Sequence, residues 1–99
     1  MAFLHVAAFF WNRDADSATL GREVATALRS YAATCEDVLG YYCGPDVGIT
    51  DGAADFGVVG RFASREAYFR YRDDARHQAI LSELIVPHLE SRTVVQLEH

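Results

Sequence analysis

The sequence predicts a single α+β domain, a four-stranded antiparallel sheet with helices on one face only. Three observations lead there. Apolar runs of strand length alternate with amphipathic helical stretches in the order β-α-β-β-α-β. The 99 residues suit one domain, since domains cluster near 100–150 residues. No internal repeat, low-complexity tract or linker divides the chain. This order is the ferredoxin-like pattern, and a composition that is 51% hydrophobic and 12% aromatic excludes a disordered acidic tail.

Residues 2–11 (AFLHVAAFFW) form the first apolar run, and the polar stretch Asn12 to Asp16 interrupts it. Asp16 or Ser17 is placed to cap a helix reaching about Thr34, with the stripe Leu20, Val24, Ala27, Leu28 and Tyr31. Val38 to Val47 reads as the second strand, Gly48 to Asp55 as a loop, and Phe56 to Phe62 as the third strand. Ser64 caps a helix to about Asp73, with Glu66 in its first turn. A second helical piece spans about Ala75 to Val86, its stripe being His77, Ile80, Leu81, Leu84 and Ile85. Pro87 stops it, and the last strand covers about Ser91 to Gln96.

The first strand constrains the assembly. One side presents Phe3, His5, Ala7, Phe9 and Trp11; the other presents Ala2, Leu4, Val6, Ala8 and Phe10. A sheet with one wet face alternates apolar with polar residues, whereas both sides are apolar here. Helices cover one side. A second copy covers the other, predicting a homodimer with a two-fold axis between facing sheets.

Composition also removes function classes. A net charge of −5 opposes nucleic-acid binding, which needs basic residues against phosphates. All nine basic residues are Arg, so a Schiff-base lysine and a P-loop lysine are both absent. No segment approaches the ~20 apolar residues of a membrane span, and Met1 to Trp11 lacks the basic flank and cleavage site of a signal peptide. Cys35 and Cys43 fit neither a disulfide scaffold nor a zinc spacing; they read as reduced thiols of a cytoplasmic protein. Leu97-Glu98-His99 resembles the remnant of an expression tag, so the domain is taken as residues 1–96.

His5 sits mid-strand on the side of Ala7 and Phe9. His77 opens the stripe of the last helix, and Tyr68 and Tyr71 share one face of the helix before it. Five residues separate Tyr71 from His77 across a helix break that turns both inward. His88 returns to nearly the face of His77 if the helix persists that far. Two imidazoles and a phenol around one apolar space make an acid–base set, the histidine removing a proton and the tyrosine donating to an oxyanion. The alternative is a core in which these groups satisfy only one another. The expected hollow is lined by Phe3, Ala7 and Phe9 of the first strand and by Val24 and Leu28 of the first helix. Val58 and Gly60 of the third strand, with Tyr68, Leu81 and His88, complete it. Arg61, Arg65, Arg70, Arg72 and Arg76 form either a solvated helix face or a rim attracting an anionic ligand.

These residues resemble the stress-responsive A/B barrel (Dabb) family across nearly the whole chain. The matching features are Phe3-Leu4-His5-Val6, then Arg61-Phe62-Ala63-Ser64-Arg65-Glu66-Ala67, then Tyr71 and His77 with five residues between. The resemblance implies a dimeric α+β barrel. It also implies chemistry like that of the family's polyketide cyclases, which perform an intramolecular aldol condensation without cofactor or metal. Carried onto this chain, His77 is the base, Tyr71 holds the enolate oxygen and His5 orients the substrate. Where the family usually has His-Pro-Ala-His, this chain has Asp74-Ala75-Arg76-His77, and Ala27 replaces an aromatic of the cyclase pocket. The expected function is a homodimer binding a small apolar or aromatic molecule, with cyclase-like aldol or enolisation chemistry. A non-catalytic stress-responsive dimer and a cofactor-independent monooxygenase share the same architecture.

Overall fold

The computed structural model describes all 99 residues. Its elements are β1 (Phe3–Trp11), α1 (Ser17–Ala33), β2 (Val38–Pro45), β3 (Phe56–Phe62), α2 (Arg65–Asp73), α3 (Ala75–Ile80) and β4 (Leu89–Glu98). The strands form one sheet in the order β2-β3-β1-β4, and every neighbouring pair is antiparallel. β1 is therefore central, and His5 lies between Gly60 of β3 and Gln96 of β4. No helix is long and apolar enough to cross a membrane.

The helices start where the sequence caps them. Asp16 accepts from the Thr19 N–H at 3.2 Å, and Ser64 from the Ala67 N–H at 3.1 Å, each satisfying an amide the helix leaves open. The last helical segment departs from the expected continuous helix. After Ile80 it widens into a π turn, Leu81–Ile85, in which the Val86 N–H bonds the Leu81 carbonyl; a 3-10 turn, Val86–His88, follows. Pro87 has no N–H to give and its ring would strike the carbonyl four residues back, so the turn opens ahead of it.

Alternation along β1 sorts the two faces. Phe3, Ala7, Phe9 and Trp11 are buried under the helices, joined by Val24, Leu28, Phe56 and Ile85 in one cluster and by Tyr31, Phe62, Tyr68 and Tyr71 in another. Leu4, Val6, Ala8 and Phe10 are only half-buried on the opposite face. Beside them Val59, Val95 and Leu97 remain 41%, 49% and 48% exposed. The helix-free face of the sheet is thus largely apolar, interrupted by Arg61 opposite Leu4 and Thr93 opposite Ala8, and exposed apolar patches of this kind mark interaction surfaces. β4 extends past the expected end at Gln96: Leu97 pairs with Leu4, and Glu98 forms an ion pair with Arg65 at 2.7 Å.

Candidate functional site

A cavity of about 360 Å³ opens between the helices and the β3-β1-β4 part of the sheet. Its walls hold His5, Tyr71 and His77 together, along with Ala7, Phe9, Leu28, Val58, Tyr68 and Leu81. The break between α2 and α3 positions the central pair. Asp74 takes φ −60° and ψ 136°, ending α2, and its carboxylate accepts from the Arg76 N–H at 2.8 Å to begin α3. An aspartate cap thereby makes the turn between the two helices. The break frees the Arg72 carbonyl, which accepts from His77 Nδ1 at 2.9 Å and from Gln78 Nε2 at 2.7 Å. The Tyr71 and His77 ring centroids lie 4.5 Å apart.

These hydrogen bonds set the protonation states. A carbonyl only accepts, so Nδ1 of His77 carries the proton and Nε2 holds the free lone pair. Burial lowers the His77 pKa; the Arg72 carbonyl bond and the charges of Asp74 and Asp73 oppose that shift. His5 has the complementary arrangement. The Gln96 amide nitrogen donates to its Nδ1 at 3.1 Å, which leaves the proton of the neutral ring on Nε2. Burial first, and then the charges of His77 and Arg92, lower the His5 pKa to about 4. At neutral pH both rings are neutral, with Nε2 bare on His77 and protonated on His5.

Tyr71 is 3% exposed, and its hydroxyl lies 2.6 Å from that of Tyr41. Burial and the Tyr41 neighbour push its pKa up, so it stays protonated and serves as a donor rather than a base. Tyr31 braces it from below, donating its hydroxyl to the Tyr71 carbonyl at 2.8 Å. A free imidazole lone pair in one cavity with neutral donors can remove a proton next to a carbonyl and hold the oxygen that becomes negative.

Four other expected lining residues lie elsewhere. Phe3 stacks on Tyr68 at 5.0 Å within the aromatic cluster, and Val24 is sealed in the core with no exposure. Gly60 opens no hollow, because the Phe62 ring occupies its side-chain space; a Cβ there would approach that ring to 2.9 Å. His88 is carried away by the 3-10 turn into a separate surface hollow beside Asn12, whose N–H donates to its carbonyl at 2.8 Å. Four of the five rim arginines form ion pairs: Arg65 with Glu98, Arg70 with Asp37, Arg72 with Asp73 and Arg76 with Asp74, while Arg61 lies exposed opposite Leu4 on the helix-free face. Of these only Arg72 reaches the cavity. Sequence reading missed Tyr41, Gln78, Ile85, Arg92, Val94 and Gln96 as lining residues. For the last three the signal was alternation along β4, readable only once its pairing with β1 is known.

The sequence profile of the Stress responsive A/B Barrel Domain (Dabb) matches residues 4–99. A dimeric ferredoxin-like protein of unknown function from Thermobifida fusca is 31% identical, with TM-score 0.90, covering 100% of this chain and 92% of its own. A Dabb family protein from Mesorhizobium loti with a ferredoxin-like fold has 18% identity and TM-score 0.80, over 99% and 96% of the two chains. A dimeric protein of unknown function from Bacteroides fragilis, also ferredoxin-like, has 16% identity and TM-score 0.86 over the same shares. No functionally curated protein matches.

Proposed function

This chain belongs to the stress responsive A/B barrel (Dabb) family, and on that premise we propose that it is a cytoplasmic homodimer binding a small apolar or aromatic molecule and enolising it without a cofactor. The apolar, helix-free sheet face supports the dimer, as does the dimeric state of the Thermobifida fusca relative. A second copy of that face covers Val6, Val59 and Val95 together.

The observation that carries the chemical reading is a pair of hydrogen bonds in one cavity, His77 Nδ1 to a carbonyl and His5 Nδ1 from an amide nitrogen, which assign the two rings opposed tautomers. A ligand with an activated methylene presents its C–H to Nε2 of His77. The proton passes to that nitrogen and the bonding pair moves into the carbonyl, whose oxygen becomes an enolate. With Tyr41 turned to donate to Tyr71, the Tyr71 hydroxyl and the His5 Nε2–H hold that oxygen, and neither has to ionise. Where the ligand carries a second carbonyl, the enolate carbon attacks it, forming a carbon–carbon bond, and the new alkoxide recovers a proton from the His77 imidazolium. Phe9, Leu28 and Leu81 pack the apolar body and exclude water, which strengthens the polar contacts.

The test is His77→Ala with a poly-β-ketone surrogate, following exchange of its methylene protons in D2O and its turnover. The proposal expects loss of catalysed exchange with the melting temperature nearly intact. A purely structural His77 gives the reverse: a loss of roughly 1–3 kcal/mol of stability and no exchange above the buffer rate in either protein.

A further inference from the structure

We propose that Arg92 anchors a carboxylate on the ligand of this cavity, which makes the ligand an apolar or aromatic monocarboxylate. The inference rests on the reading of the cavity as a small-molecule site, and it specifies which molecules enter.

The protein carries 14 acidic residues and a net charge of −5, yet no Asp or Glu lines the cavity, whose charged lining residues are Arg72 and Arg92. Arg72 is already engaged: it forms two hydrogen bonds to Asp73, at 2.7 and 3.0 Å, and its guanidinium lies 4.8 Å from the Phe69 ring centroid. Arg65, Arg70 and Arg76 are neutralised in the same way. Arg92 has no carboxylate partner. Pairing with β1 sets Arg92 opposite Phe9, Val94 opposite Ala7 and Gln96 opposite His5, so all three share the helix-facing side. Successive side chains on that side stand about 6.5–7 Å apart along the strand, which places a free cation at one end of an apolar wall and the His5–Gln96 pair at the other. The charge of Arg92 also reaches His5, where it helps to keep the ring neutral.

One uncompensated guanidinium matches one negative charge, and its planar fork fits the two oxygens of a carboxylate. A phosphate dianion at the same place would remain half compensated. With the carboxylate on Arg92, the ligand body lies along Val94 and Phe9 and its far end reaches the histidines.

Calorimetric titration of 2-naphthoate, 2-naphthamide and 2-naphthyl phosphate into the full-length protein and its Arg92→Gln variant tests this. Expected are preferential binding of 2-naphthoate, an affinity about tenfold lower in the variant and reduced by added salt, and an amide affinity that the variant leaves unchanged. An NMR titration should show the His5 pKa rising when 2-naphthoate binds. Equal affinity for acid and amide, or no effect of Arg92→Gln, overturns the anchor; if both ligands still shift the His5 and His77 resonances, the cavity reading survives. Preference for the phosphate overturns the monocarboxylate assignment. Failure of all three probes to bind overturns the anchor and the cavity reading together.

Discussion

His77 Nδ1 donates across the α2–α3 break to the carbonyl of Arg72, 2.9 Å away. The carbonyl is available only because Asp74 ends α2. The turn is therefore part of the site, and it can be stiffened. Ala75 is the first residue of α3, where proline lacks an N–H the helix does not use, and the extended backbone of Asp74 is what proline requires of its predecessor. Ala75→Pro should raise stability by about 0.4–1 kcal/mol with the His77 hydrogen bond retained. Urea denaturation checks the first point and the imidazole 15N shifts the second.

His77→Asn retains a donor near the Arg72 carbonyl but removes Nε2. Folding stability should stay within about 1 kcal/mol of wild type, the net worth of one hydrogen bond, while catalysed methylene exchange disappears. An Asn variant that still exchanges at the wild-type rate would move the base elsewhere.

The Tyr41 and Tyr71 hydroxyls, 2.6 Å apart, form one unit. Tyr41→Phe and Tyr71→Phe should each destabilise by roughly 0.5–1.5 kcal/mol, and the double variant by less than the sum, since each single change strands the other hydroxyl. Denaturant midpoints of the four proteins close this cycle.

Acid should weaken the fold through His5. Its pKa is about 4 in the folded protein and about 6.5 when unfolded, so between those values the unfolded chain binds more protons. The His5 contribution is present in full above pH ~6.5 and is lost as pH falls toward 4. Burial of His77 acts in the same direction. Urea midpoints measured from pH 7 to pH 4 should fall, and His5→Gln should flatten part of that fall. An NMR titration of the His5 ring in the native protein should give a midpoint near 4.

Val6 sits at the centre of the apolar outer face, flanked by Val59 and Val95. Val6→Lys should yield a monomer in sedimentation, with the far-ultraviolet circular dichroism of the native fold, because Val6 points away from the helical core. A wild-type protein that sediments as a monomer at micromolar concentration removes the dimer.

Where local chemistry decides, the sequence was readable. Asp16 and Ser64 cap the helices they precede, the period-two pattern of β1 separates its faces, and the Tyr71–His77 spacing brings the two rings together. What depends on pairing was not readable. β4 discloses its inward residues only through its register with His5, Ala7 and Phe9, a register that shifts between Phe10 and Trp11. Gly60 suggests empty space, but the Phe62 ring that fills it comes from the same strand two residues on. Pro87 was legible as a stop; that the turn before it would widen and carry His88 out of the cavity was not.

The pairing of β4 with β1 also governs which side chains line the cavity. Arg92, Val94 and Gln96 alternate with Thr93, Val95 and Leu97. A slip of a single position would turn the first trio outward and the second inward, replacing guanidinium and amide with methyl groups and releasing the imidazole that Gln96 steers. The lining of this cavity is accordingly an attribute of strand alignment, and a bulge introduced into β4 would exchange one trio for the other without a single substitution.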